Sequence, residues 1–161
     1  MLAHRHRLAT WLDARPLYQL YQEPSNCPFL TAANLDFETY AQQYRKILPK
    51  NDLYIYQQGE TMIGSYRLTR KAYPLQHILT LSRFVIATQY QGQGHGQRML
   101  EEAILRAKPV IRIELLVETD NPKAITLYQK CGFCIEGRLK KFFYRPTTDE
   151  YVDEFLMALV F

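Results

Sequence analysis

Gln91-Gly92-Gln93-Gly94-His95-Gly96 interrupts an otherwise regular spacing of apolar residues. Just upstream, residues 78–87 form the most apolar strand candidate of the chain, with Leu79, Leu81, Phe84, Val85 and Ile86. Just downstream, Leu100, Ala103, Ile104 and Ala107 share one helical face between Gln97 and Lys108, and Pro109 stops the run. A buried strand, a glycine loop and a helix in that order suit a pyrophosphate. Such a ligand needs several N–H donors converging on it, and a helix start supplies unpaired N–H groups with a favourable dipole. Glycine lets the backbone come close and adopt positive φ. The spacing is G-x-G-x-G, not the G-x-G-x-x-G of dinucleotide folds, and the sequence lacks the G-x-x-x-x-G-K-[ST] loop of nucleotide hydrolases. Judged alone, the loop fits a ligand-free glycine turn as well.

Outward from this loop the pattern alternates between strands and helices. Residues 4–9 read as a first strand, and Thr10 with Asp13 resembles a capping box before a helix through Tyr21. Pro16 fits that helix only if it starts near Asp13. Loop chemistry fills 23–31, a second helix is expected over 34–48, and Gly59 joins two strands over 53–57 and 61–69. After the glycine loop and its helix come a strand over 111–118 and a short helix opened by Asn121-Pro122 and closed by Gly132. Two last strands span 134–144 and 151–160. The order β-α-α-β-β-β-α-β-α-β-β predicts one mixed α/β domain over 1–161.

Composition sets outer bounds. A chain of 161 residues, 47% of them hydrophobic, matches one domain of ~150 residues with a proper core. Three cysteines, and no apolar run after His4-Arg5-His6-Arg7, lead us to expect a reducing, cytoplasmic setting without a secretory leader. The longest apolar run, 155–161, falls short of the ~20 residues a membrane span requires. A net charge of +4, evenly spread, gives no nucleic-acid footprint. The twelve tyrosines and eight phenylalanines are expected mostly in strands.

A second motif gives the loop its context. Gln91, Gly94 and Gly96 fit Q/R-x-x-G-x-G/A, and 121–133 (NPKAITLYQKCGF) fits N-x-x-A-x-x-L-Y-x-x-x-G-F. Together, at this separation and with these flanking elements, the chain resembles the GNAT superfamily of N-acetyltransferases from end to end. The tail, Glu136-Gly137-Arg138-Leu139 with Tyr151-Val152-Asp153 and Met157, resembles the branch of ribosomal-protein, diamine and amino-acid N-acetyltransferases.

That resemblance implies a mostly antiparallel mixed sheet of about seven strands with helices on both faces and two splayed central parallel strands. It implies acetyl-CoA as cosubstrate and no metal. Phe84, Val85 and Ile86 would meet the pantetheine arm along the backbone. Gln91, Gly92, Gln93, Gly94, His95, Gly96 and Gln97 would hold the pyrophosphate. Asn121, Ala124 and Tyr128 would line the far side of the arm, and Lys130 would approach a terminal phosphate.

The chemistry asks for three things: a neutral amine, a polarised thioester carbonyl and a stabilised thiolate. Tyr128 suits the last role by its place in the motif, with a packed core tyrosine as the structural alternative. Relatives carry a glutamate on the fourth strand, where this chain reads Leu81-Ser82-Arg83-Phe84. Glu118 is then the nearest acid in the motif region; it reads equally as a solvated strand end, and Ser82 could hold a relay water instead. Cys131 and Cys134 form a single C-x-x-C, weak as a zinc signal and better read as buried structural thiols. His4 and His6 read as an exposed edge, His95 as a residue whose backbone matters more than its ring, and Arg138, Lys140 and Lys141 as a solvated edge strand. The acceptor is an amine of a small molecule or peptide, with no nucleic acid or membrane expected, and the last strands could pair across a homodimer. A catalytically silent acyl-CoA sensor is the alternative that the absent fourth-strand glutamate keeps open.

Overall fold

Capping and periodicity fix where the elements begin, in a computed structural model that describes residues 4–30 and 35–161. Seven strands form one mixed sheet in the order β1-β2-β3-β4-β5-β7-β6. The chain divides into two compact units, one of residues up to Arg67 with Arg83–His95, the other of Leu68–Ser82 with Gly96–Phe161.

The first unit contains β1 (His4–Leu8), α1 (Ala14–Gln22), α2 (Phe37–Ile47), β2 (Leu53–Gln58), most of β3 (Thr61–Arg70) and the end of β4 (Ile78–Ile86). Before α1, the Asp13 carboxylate accepts the Thr10 N–H at 2.7 Å and a two-pronged contact from Arg7. One 3-10 turn over Trp11–Asp13 precedes the helix, so Pro16 falls in its first turn, where a missing N–H does no harm. Asp36 caps α2 through the Thr39 N–H at 2.8 Å. The helix therefore starts at Phe37; the expected start at Asn34 lies outside the described residues.

Strands β1 and β2 pair antiparallel from His4↔Gln58 to Leu8↔Tyr54. Leu17, Tyr21, Tyr40, Tyr44, Ile55 and Val85 form the core of this unit. Each aliphatic side chain so buried contributes about 1.5–3 kcal/mol. The expectation that the aromatics belong mainly to strands is corrected here. Tyr18, Tyr21, Tyr40 and Tyr44 sit on α1 and α2, because helical spacing brings them onto the buried faces. His4 and His6 do lie on the edge strand β1 but are half-buried, the His4 ring stacked on Tyr56 at 5.4 Å and the His6 ring tilted against it at 4.7 Å between centroids.

The second unit holds the rest of β3 and β4, α3 (His95–Ala107) from Gly96 onward, β5 (Arg112–Glu118), α4 (Pro122–Lys130), β6 (Cys134–Arg145) and β7 (Glu150–Val160). Met99, Leu100, Ile113, Phe133 and Met157 are its most deeply buried apolar side chains. The parallel pairing of β4 with β5 covers only Ile78↔Arg112, Leu79↔Ile113 and Thr80↔Glu114. The antiparallel pairing of β5 with β7 continues to Glu118↔Glu154. The C-terminal half of β5 is thus held by β7 alone, the start of the expected splay. At the sheet edge, β6 carries a register shift between Leu139 and Phe143 and a left-handed Lys141 (φ 50°), a bulge that blunts the edge. Arg138 there pairs with Asp153 at 2.7 Å. The expected burial of the C-x-x-C pair is corrected too: Cys131 is half-buried and Cys134 exposed, since β6 begins at its edge.

Candidate active site and its two constellations

In the first unit, side chains fasten the glycine turn and leave its backbone open. Gln91 Nε2 donates to the Ile86 carbonyl at 2.9 Å, to Ser25 Oγ at 3.1 Å and to Asn26 Oδ1 at 3.3 Å. Glu23 accepts the Thr88 N–H and its hydroxyl, both at 2.7 Å. Gln93 Nε2 turns back to the Gln89 carbonyl at 2.7 Å. The side chains of Gln91 and Gln93 therefore brace the loop, and only their main chain is left for a phosphate.

Gly92 and Gly94 take φ of 72° and 81°, and a Cβ built at either meets no atom within 4 Å. Open space beside left-handed glycines at a helix start is the cradle a pyrophosphate requires. Helix α3 begins at His95, two residues before the expected Gln97, because Gly94 is the last left-handed residue. The His95 ring is buried, edge-on to His4 at 5.2 Å and to Tyr90 at 5.8 Å, with Nδ1 3.5 Å from the Tyr56 hydroxyl. That ring packs the loop against β1 and β2. In β4, Val85 and Ile86 are buried and Phe84 half-buried. The Ile86 carbonyl is taken by Gln91 and Asn26, so other main-chain groups of this segment must serve any ligand.

In the second unit, Gly96 and Gln97 open α3, and Gln97 reaches Glu101 at 2.9 Å. Here β5 delivers Glu118 to a buried position opposite Glu154, which is buried as well. Glu118 is no solvated strand end: it is 6% exposed. Burial, reinforced by the negative charges of Glu154 and Asp120, pushes its carboxyl up to about 7, against the opposing charge of Arg145. Arg145 is itself buried and gives both guanidinium nitrogens to Asp120, at 2.8 and 2.9 Å. That commitment holds Asp120 below the ordinary carboxylate range. Burial pushes Glu154 up as well.

Tyr128, in the last turn of α4, is 7% exposed, 5.9 Å from the Phe133 ring between centroids. Burial first, and the Glu118 charge second, raise its phenol well above the ordinary value. It keeps its proton throughout the physiological range. Asn121 caps α4, its Oδ1 accepting the Ala124 N–H at 3.3 Å, and its own N–H donates to the Glu118 carbonyl at 3.0 Å. The Ala124 N–H is therefore engaged within the protein. Lys130 is exposed in the last turn of α4. Among the described residues no cluster of His, Cys, Asp and Glu could hold a metal, and no helix is long and apolar enough to cross a membrane.

Glu154, Arg145 and Asp120 escaped the sequence reading. Only the β5–β7 register and the β6 turn bring them to Glu118, and local spacing carries no trace of either.

The sequence pattern described as the acetyltransferase (GNAT) family matches residues 14–133. An L-amino acid N-acetyltransferase of Escherichia coli strain K12 is 53% identical over 78 residues, 47% of each chain. A spermidine N(1)-acetyltransferase of Vibrio cholerae is 34% identical over 65 residues, 38% of each chain. The chain thus matches less than half the length of these curated relatives. A GNAT acetyltransferase structure from Streptococcus pneumoniae superposes with a TM-score of 0.78 at 27% identity, covering 99% of this chain and 100% of that one. With an open glycine cradle, a β4–β5 pairing that stops after three residues and a family match across most of its length, the chain belongs to the acetyltransferase (GNAT) family.

Proposed function

We propose that the protein transfers the acetyl group of acetyl-CoA directly to a primary amine, with Glu118 as the base and Tyr128 as the donor to the departing sulfur. The observation that carries this reading is a carboxyl buried at the end of β5, opposite the buried Glu154, in the same unit as a buried phenol on α4; burial pushes that carboxyl up to about 7. A base poised near the working pH is half ionised and still holds a proton firmly enough to take it from an attacking amine.

Acetyl-CoA supplies an activated acyl group; the chain's own residues do the rest. Main-chain N–H groups of the turn at Gly92, Gln93, Gly94, His95, Gly96 and Gln97 hold the pyrophosphate. Gln91 positions that turn through its side chain. Backbone groups of Phe84 and Val85 face the pantetheine arm, Asn121 fixes the start of α4, and Lys130 lies free to meet a terminal phosphate.

As the amide C–N bond forms and the thioester C–S bond breaks, Glu118 takes the proton from the amine nitrogen. Tyr128 gives a hydrogen bond, and then a proton, to the thiolate, and the proton on Glu118 restores the phenol. No net proton is gained or lost. The acceptors we consider are those of relatives named for polyamines and amino acids.

Thiol release from acetyl-CoA in the presence of an amine panel tests the reading. Glu118→Gln is expected to lower kcat by about 10²–10⁴-fold while acetyl-CoA still binds. Full turnover by that variant would remove Glu118 from the chemistry.

A further inference from the structure

A chain of hydrogen bonds ties the glycine turn to the end of α1, and its donors fix its direction. A carboxylate only accepts, so the single hydroxyl proton of Thr88 goes to Glu23 Oε2, at 2.7 Å. The Ser25 hydroxyl, 2.7 Å from Thr88 Oγ1, must then donate to that oxygen. Ser25 Oγ is left to accept from Gln91 Nε2 at 3.1 Å. The chain therefore runs from Gln91 through Ser25 and Thr88 to Glu23, and every step donates toward the carboxylate.

Two further bonds tie the ends together. Glu23 is the C-cap residue of α1, and its Oε2 also takes the Thr88 N–H at 2.7 Å. Asn26, 6% exposed, accepts from Gln91 Nε2 at 3.3 Å through Oδ1. Its Nδ2 donates to the Leu20 carbonyl of α1 at 3.1 Å and to the Ile86 carbonyl of β4 at 3.3 Å. All of these residues belong to the first unit. The turn they hold is the one in which Gly92 and Gly94 keep left-handed φ beside open space.

Charge alone argues against a glutamate at this place. A polyanion seated at the turn gains nothing from a carboxylate bonded to Thr88, and Coulomb repulsion opposes it. What Glu23 offers is geometry. It ends a chain in which three other side chains donate, and a charged acceptor at the end strengthens each bond before it. A loop already held in its bound shape loses less freedom when the ligand arrives.

We propose that Glu23 is a positioning residue for the cosubstrate: through Thr88, Ser25 and Gln91 it holds the turn in its anion-accepting shape, so the end of α1 sets acetyl-CoA affinity. The inference rests on the reading of the turn as the pyrophosphate site. Glu23 acts through the turn and takes no part in proton transfer.

The test measures acetyl-CoA Kd by calorimetry at a temperature where the proteins are folded, with Tm recorded alongside. It compares wild type, Glu23→Ala, Glu23→Gln, Ser25→Ala and the double variant Glu23→Ala/Ser25→Ala. Ser25 is half-buried, and its substitution cuts the chain without touching α1, so it decides the question even where Glu23→Ala does not fold. Glu23→Ala should raise Kd about tenfold or more and Ser25→Ala roughly threefold, the difference reflecting the charged acceptor. The double variant should bind no worse than Glu23→Ala, because both substitutions cut one chain. Glu23→Gln, whose amide oxygen accepts the same two Thr88 bonds, should stay close to wild type. Tighter binding by both Glu23 variants would overturn the proposal, since only relief of charge repulsion would then be at work. A lower Tm with unchanged Kd in Glu23→Ala and Ser25→Ala would overturn it in favour of a brace that serves the fold alone. Fully additive losses in the double variant would overturn the chain. Wild type that binds no acetyl-CoA would overturn the pyrophosphate reading and this inference with it.

Discussion

Glu118 ionises near neutral pH because β5 carries it inside opposite Glu154, while Arg145 spends its charge on Asp120. Its folded-state pKa is raised above the ordinary 4.5, so the folded protein holds this proton more tightly than the unfolded chain does. The stability gained from that proton is present below pH 4.5 and is lost as the pH rises through about 7. The loss is about 3 kcal/mol. In the proposed role activity runs the other way, since a base must be ionised. Glu118→Gln should therefore raise the melting temperature at pH 8 relative to wild type, with little change at pH 4, while removing the rise of kcat/KM through pH 7. A wild-type rate that is flat between pH 6 and 8 would show that another group takes the proton. Tyr128→Phe, which keeps the ring beside Phe133, should lower kcat by about 10²-fold or more with acetyl-CoA affinity nearly unchanged. Unaltered turnover would make Tyr128 a packing residue.

At the scale of elements, two junctions deserve separate tests because they fail in different ways. The loop between β4 and α3 depends on a left-handed Gly94 with open space beside it. Gly94→Val forces a β-branched residue to φ 81° and fills the cradle, so calorimetry should find no acetyl-CoA binding, with destabilisation of only about 1–3 kcal/mol. Wild-type affinity would mean that no phosphate approaches there. The junction between β5 and α4 depends on the Asn121 cap and on its N–H to the Glu118 carbonyl. Asn121→Ala should lower stability by about 1 kcal/mol in urea denaturation and disturb the turn that follows Glu118. These junctions were also the most legible parts of the sequence, for a physical reason. Gly94, Asn121, Pro122 and Gly132 act through backbone conformation within a few residues of themselves, so their effect is written locally. Glu118's burial and the bonds from Gln91 to Ser25 and Asn26 arise from partners far along the chain, and nothing beside them in sequence announces it. The helical tyrosines were misjudged for a related reason: β propensity describes fit to a half-buried pleated surface, and the buried faces of α1 and α2 offer an equal fit.

For the molecule as a whole, the order of eleven helices and strands among the described residues was readable from hydrophobic period and turn residues, while the mixed seven-stranded sheet and the family were implied by the resemblance of the motifs at 91–96 and 121–133. In the proposed function the chain binds one polyanionic cosubstrate, and a net charge of +4 favours that without dictating it. Binding to the folded state alone stabilises by about 2.7 kcal/mol at a hundred times Kd, which for a chain of this size raises Tm by roughly 5–10 °C. The most direct test is therefore a thermal-shift measurement of the purified protein with acetyl-CoA, CoA and NADH, each at saturating concentration. The account predicts a clear rise with both CoA species and none with NADH. No rise with either CoA species would contradict it, because the glycine turn would then be a structural feature and the acetyl-transfer chemistry would have no donor.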